Sequence, residues 1–110
     1  MSVVSSPVVK PGKARRTGTA EMPPYHVVLL DDDHHSVDYV VEMLNDLFGH
    51  PPAKGVEMSR EVHLTGRVIV DTTHLEEAEL KRDQIQTFGP DPLIRHCKGS
   101  MSATVEPASG

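Results

Sequence analysis

Tyr25-His-Val-Val-Leu-Leu-Asp-Asp-Asp33 runs, three residues later, into Val37-Asp-Tyr-Val-Val-Glu-Met-Leu-Asn-Asp-Leu-Phe48. Val27 to Leu30 is an apolar, partly β-branched run and reads as a buried strand. It ends in three consecutive carboxylates, which repel one another. A fold keeps such a cluster cheaply only on a solvent-facing rim, and more readily beside a cation: a metal, a lysine or an amino group from another chain. In the second stretch Val37, Val40, Val41, Leu44, Leu47 and Phe48 fall at i, i+3, i+4, i+7, i+10 and i+11, the spacing of one apolar helix face. Ser36 or Asp33 is placed to cap that helix, Asp38 complements its dipole, and Gly49, Pro51 and Pro52 stop it.

Working outward, a weaker helix is expected from about Pro52 to Leu64, with Gly55 and Ser59 lowering its propensity and Gly66 ending it. Arg67-Val-Ile-Val70 reads as a second strand. Thr73-His-Leu-Glu76 has the form of a capping box for a third helix, whose stripe is Leu75, Ala78, Ile85 and Phe88. Leu93-Ile-Arg-His-Cys97 is expected as the last strand. The order is β-α-α-β-α-β, an α+β domain with a three-stranded antiparallel sheet packed against three helices. The body spans residues 25–98. Residues 1–24 hold Pro7, Pro11, Gly12, Gly18, Pro23 and Pro24 among small polar residues and are expected to form a disordered tail. Residues 99–110 are again small and polar and are expected to fray.

Charge is unevenly spread over the 110 residues. The net value is −5, yet residues 1–24 set Lys10, Lys13, Arg15 and Arg16 against Glu21 alone, a net +3 that leaves −8 for the rest. An acidic body repels phosphates, which argues against nucleic acid as a partner. No apolar run approaches membrane-spanning length. A single cysteine, Cys97, gives no intramolecular disulfide, so a reducing cytoplasmic setting is the default. The Ser-, Thr- and Arg-rich start also has the composition of an organelle transit segment, which would place the protein in a plastid stroma.

Four chemistries were weighed for the carboxylate cluster. A strand ending in paired acids before a helix opens the receiver domains that hold Mg²⁺, and Val68-Ile-Val-Asp71 resembles their phosphoacceptor strand. Only 39 residues follow Asp71, too few to complete a doubly wound sheet. Seven histidines, among them His34, His35, His63 and His74, suggest zinc, but no helical His-x₃-His or cysteine pair occurs. Nucleophilic catalysis finds no Gly-x-Ser-x-Gly elbow, so neither enzyme activity nor a cofactor is expected. The fourth chemistry is capture of an ammonium group by Asp31 and Asp32 with His63 from a neighbouring helix. Val37, Val40 and Val62 would then wall a side-chain pocket. The same spacing describes an ordinary core face, which is what such valines usually form.

The Val-Val-Leu-Leu-Asp-Asp-Asp strand, the Val-Asp-Tyr-Val-Val-Glu-Met-Leu helix and Glu61-Val-His-Leu-Thr-Gly-Arg67 together resemble ClpS, the adaptor that hands N-degron substrates to the Clp AAA+ unfoldase. The resemblance covers about residues 24–98. It implies that Asp31, Asp32 and His63 contact the substrate's α-amino group and first peptide unit. Asp33 and His35 would shape the entrance. Val37, Val40, Ser59, Val62 and Ile94 would form the pocket for the first side chain. Glu76 and Lys81 would dock on the unfoldase's N-terminal domain, with a monomeric adaptor expected, and the N-terminal tail would be engaged during hand-over.

The chain departs from the family pattern at several of these positions. Asp31 stands where the family usually has Asn, which can donate as well as accept. Val37 and Ser59 stand where the family often has Met, which widens the expected pocket mouth and makes one wall more polar. Val70-Asp71 replaces a common Cys-Gly pair. Two other expectations follow from these departures: a domain that docks on the unfoldase but has lost N-degron binding, or an Asp/His metal site.

Overall fold

The computed structural model describes residues 23–108 apart from positions 33, 96 and 98. The disordered extension expected over 1–24 therefore lies, but for its last two residues, outside the described part. Six elements follow in order: β1 (Pro24–Leu30), α1 (Val37–Phe48), α2 (Pro52–Thr65), β2 (Arg67–His74), α3 (Leu75–Gln86) and β3 (Ala103–Pro107). This is the expected β-α-α-β-α-β order.

β1 is the central strand, antiparallel to β2 on one side and to β3 on the other. Val27, Val28 and Leu29 of its apolar run are all fully buried. Val27 and Leu29 point into the core shared with the helices. Val28 points the other way and is still fully buried. On that outer face Arg67 of β2 reaches Glu106 of β3 at 2.6 Å, spanning the strand between them. β2 alternates, with Val68 and Val70 buried and Arg67 and Ile69 exposed. Val27 faces Asp71 while Val28 faces Ile69, so Val70 is the extra residue of a β-bulge. A bulge disrupts the ladder locally, and the Val70 carbonyl accepts instead from His50 Nε2 at 2.6 Å.

α1 starts where expected. The Ser36 hydroxyl accepts from the Tyr39 N–H at 3.2 Å, and Gly49 ends the helix in the left-handed region, φ 73°. Its buried face is rotated from the expected one. Tyr39, Val40, Met43 and Leu44 are buried, whereas Val37 is 42% exposed. The cause is tertiary: the Tyr39 ring packs edge-on against Phe88 and its hydroxyl donates to the Gly89 carbonyl at 2.6 Å. α2 folds back on α1 through Gly49–Pro51 as an αα-hairpin. Its buried residues are Gly55, Ser59 and Val62, a narrow and small-sided face. A Cβ at Gly55 would sit 3.2 Å from the Val41 Cα, so glycine permits the close approach of the two helices.

Two expectations are corrected. The cap of α3 is His74, whose Nδ1 accepts from the Glu77 N–H at 3.4 Å. Thr73, paired with Tyr25 in the sheet, stands one residue before the cap position. The third strand is Ala103–Pro107, not Leu93–Cys97. Asp91 organises the earlier segment into turns: its carboxylate accepts from the Leu93 N–H at 2.9 Å and its carbonyl from the Ile94 N–H at 3.2 Å. In the segment expected to fray, Met101 and Ala103 are buried and Val105 packs against the core. An edge strand bonds to one neighbour and keeps one face in water, so alternate small apolar residues suffice. Pro107 at its end suits an edge.

Candidate functional site

The exit of β1 is fastened to the end of α2. The Asp31 N–H donates to the Gly66 carbonyl at 3.0 Å, and Gly66 is the left-handed cap of α2, φ 90°. This juxtaposition carries His63, in the last turn of α2, to Asp31. His63 Nδ1 lies 2.9 Å from Asp31 Oδ1, with both side chains partly exposed. The approach is short but not aligned as a hydrogen bond, and Asp31 Oδ1 is buried without a donor among the described residues. A buried carboxylate oxygen lacking a donor is an unfavourable arrangement that an added N–H relieves.

Asp32 is held differently. Its Oδ1 accepts from the His34 N–H at 2.9 Å and faces His35 Nδ1 at 2.7 Å. His35 Nε2 lies 2.7 Å from the Gly99 carbonyl, which only accepts, so Nε2 carries the hydrogen of that bond. Cys97 Sγ lies 3.3 Å from the same nitrogen. The ring stacks at 45° on Tyr39, centroids 4.6 Å apart. His35 is 7% exposed. It lies in the expected loop after β1 and pins that loop to Cys97 and Gly99. Asp33 lies outside the described residues.

A second pin holds the start of α1. Asp91, 2% exposed, accepts from the Ser36 N–H at 2.6 Å as well as from Leu93. Burial alone would raise its carboxyl. The Ser36 and Leu93 N–H donors, the Ser36 hydroxyl and the His35 ring outweigh that effect and hold it below the ordinary carboxylate value. Asp91 fixes Val37, the residue after the cap, relative to the turn that carries Ile94. Sequence reasoning missed it. The signal was Pro90-Asp91-Pro92, an acid between two residues that cannot donate through their backbone.

The expected pocket residues divide by burial. Val40 and Val62 share the core cluster, Ser59 is fully buried, Ile94 is partly buried, and Val37 is the exposed one. A groove of about 350 Å³ is lined instead by Asp38, Tyr39, Glu42, Phe88, Asp91 and Leu93 among others, and by none of these five. Another, of about 450 Å³, lies at the far end of β1, where Pro23, Tyr25, His74, Leu75, Glu76 and Glu79 meet. Glu76 is exposed there. Lys81 Nζ donates to the Leu47 carbonyl and sits 5.4 Å from the Phe48 ring centre, completing the carboxyl end of α1. Among the described residues no three His, Cys, Asp or Glu side chains are grouped to hold a metal ion, and no helix is long and apolar enough to cross a membrane.

Two fixed acids and a histidine at a strand exit, beside the apolar end of a helical hairpin, define a small α+β binding domain. The family model "ATP-dependent Clp protease adaptor protein ClpS" matches residues 20–92. The adapter protein ClpS of Vibrio cholerae serotype O1 is 36% identical over 81 residues, covering 69% of this chain and 76% of that protein. A second strain of the same organism matches alike. Among solved structures, Agrobacterium tumefaciens ClpS2 bound to L-phenylalaninamide shares the fold, with TM-score 0.67 and 24% identity over 77% of this chain and 96% of that one. The chain belongs to the ClpS family of Clp protease adaptors.

Proposed function

We propose that this adaptor binds the free N-terminal residue of an N-degron substrate and delivers that substrate to a Clp AAA+ unfoldase. The observation that carries this reading is Asp31 Oδ1, buried and without a donor, beside His63 where β1 and α2 meet. An α-ammonium brings three N–H donors and a positive charge, and Asp31, Asp32 and His63 are the acceptors within its reach. His63 sets Nδ1 beside Asp31, and Nε2 is its other ring nitrogen, free to accept in the neutral imidazole. The first side chain then lies against Val37, Val40, Val62 and Ile94. L-Phenylalaninamide, the ligand of the A. tumefaciens protein of the same fold, carries a free amino group, an aromatic side chain and an amide in place of a carboxylate, the features of a first residue in a chain. Delivery requires a second surface, and the exposed Glu76 beside the groove at the start of α3 supplies it.

The test compares peptides beginning with Leu, Phe, Tyr or Trp, each free and N-acetylated. The free forms should bind and the acetylated forms should lose about 100-fold or more, because acetylation removes the charge and two of the donors (~2.7 kcal/mol or more). Equal binding of the two forms would remove the ammonium role from Asp31, Asp32 and His63.

A further inference from the structure

Three side-chain oxygens of the described residues are buried without a hydrogen-bond partner: Asp31 Oδ1, Ser59 Oγ and Gln84 Oε1. Two of the three belong to one site. The first is the carboxylate already assigned to the ammonium. Ser59 is the second, and nothing in the fold uses its hydroxyl. A serine inside a helix usually bonds back to the carbonyl four residues earlier or to water. Ser59 is fully buried, and its Oγ makes no hydrogen bond to Gly55 or to any other described residue.

Its position says what it faces. Gly55, one turn earlier, is where α2 presses on Val41. A step of four residues along α2 advances about 6 Å, and because the hairpin reverses direction it leads towards the first turn of α1, which holds Val37 and Val40. Val62 and His63 come next, and His63 reaches Asp31. Ser59 thus stands between the apolar wall and the ammonium acceptors, on the small-sided face of α2.

We propose that the Ser59 hydroxyl selects the first residue of the substrate, by hydrogen-bonding a polar atom at the tip of an otherwise apolar side chain, so that tyrosine is favoured over phenylalanine. The proposal rests on the N-terminal-residue reading above. A hydroxyl both donates and accepts, so it matches a phenol in either sense. Burying it unpaired is unfavourable in the free protein, and a ligand that pairs with it recovers that loss, whereas one ending in C–H does not. Sites built around such a group discriminate far more sharply than apolar walls do.

The experiment is a cycle of two peptides and two proteins: Tyr- and Phe-initiated peptides of otherwise identical sequence, against the full chain and its Ser59→Ala variant. The Tyr-over-Phe affinity ratio should fall by about threefold or more in the variant, a coupling that a double-mutant cycle resolves. Ser59→Cys, which keeps the volume but hydrogen-bonds weakly, should lower the ratio in the same direction and covers the case in which the alanine variant fails to fold. A ratio that changes by less than about threefold in the folded variant overturns the role of Ser59. N-acetylated Phe peptide runs alongside as the control. If it binds the parent chain as well as the free peptide does, the N-terminal-residue reading itself has failed. If only the ratio stays fixed, the failure is confined to Ser59.

Discussion

The two ends of β1 carry acidic surfaces of different construction. At its exit, Asp31 and Asp32 are tied by backbone bonds, by His63 and by His35, and one carboxylate oxygen is buried without a donor. At its start, Glu76 and Glu79 stand on the first turns of α3 beside a groove of about 450 Å³, and both are exposed. A site that reads one small cation needs acceptors that are immobilised and short of partners, because that shortage is what the ligand relieves. A surface that meets another protein needs exposed charge, which steers encounter and contributes modestly to affinity. The fold thus holds the same residue types in two different ways.

The largest effect expected to break this comparison is at the exit. Asp31→Ala should lower affinity for a free Leu- or Phe-initiated peptide by about 100-fold, roughly 3 kcal/mol for losing one partner of a desolvated charge pair. Binding to the unfoldase N-terminal domain, read by calorimetry, should not change. A loss of both would show that the two ends are not independent.

A smaller effect is expected at Asp91, which holds the start of α1 against the turn bearing Ile94. Asp91→Ala should cost about 2 kcal/mol of folding stability, the scale of hydrogen bonds to a buried charged group, read as a lower denaturant midpoint. Its folded carboxyl lies below the unfolded value, so its stabilisation is present above the unfolded pKa and is lost as pH falls through the folded one. The acid limb of the stability curve should therefore be shallower in Asp91→Asn than in the parent chain. Identical acid limbs would remove Asp91 from the account.

The smallest effect is expected at the start of β1. Glu76→Lys should weaken binding to the unfoldase domain by about tenfold or less (~1.4 kcal/mol), and the difference should shrink as salt is raised. Peptide affinity should hold. A salt-insensitive loss would mean that Glu76 acts through packing and not through charge.

Much of the scaffold was legible because its signals are local. The cap at Ser36, the left-handed glycines at 49 and 66, and the switch from an apolar run to a 3.6-residue period all act within a few residues of where they are read. β3 was not legible at its true place. Ala103-Thr-Val-Glu-Pro107 becomes a strand because β1 has a vacant edge beside it, and taken alone it resembles a polar tail. The rotated face of α1 and the pinning of His35 share that origin: each depends on Phe88, Gly89 or Gly99, over 40 residues away in the chain. The contact of Lys81 was not legible either, because its partner is a carbonyl at the end of another helix.

The sequence by itself determined the order of the elements, the acids at the end of a buried strand, a histidine in the last turn of the second helix, and small residues at 55 and 59 within that helix. Those are matters of residue type and short-range spacing, and short-range spacing is all that periodicity and capping express. Only the tertiary structure decided which acid keeps an oxygen without a donor, which histidine is pinned and which stands at the site, and that the Ser59 hydroxyl is buried unpaired. Whether a polar group is satisfied depends on every group the fold brings within 3 Å of it, and here those partners come from the strand exit, a helix cap and a distant turn.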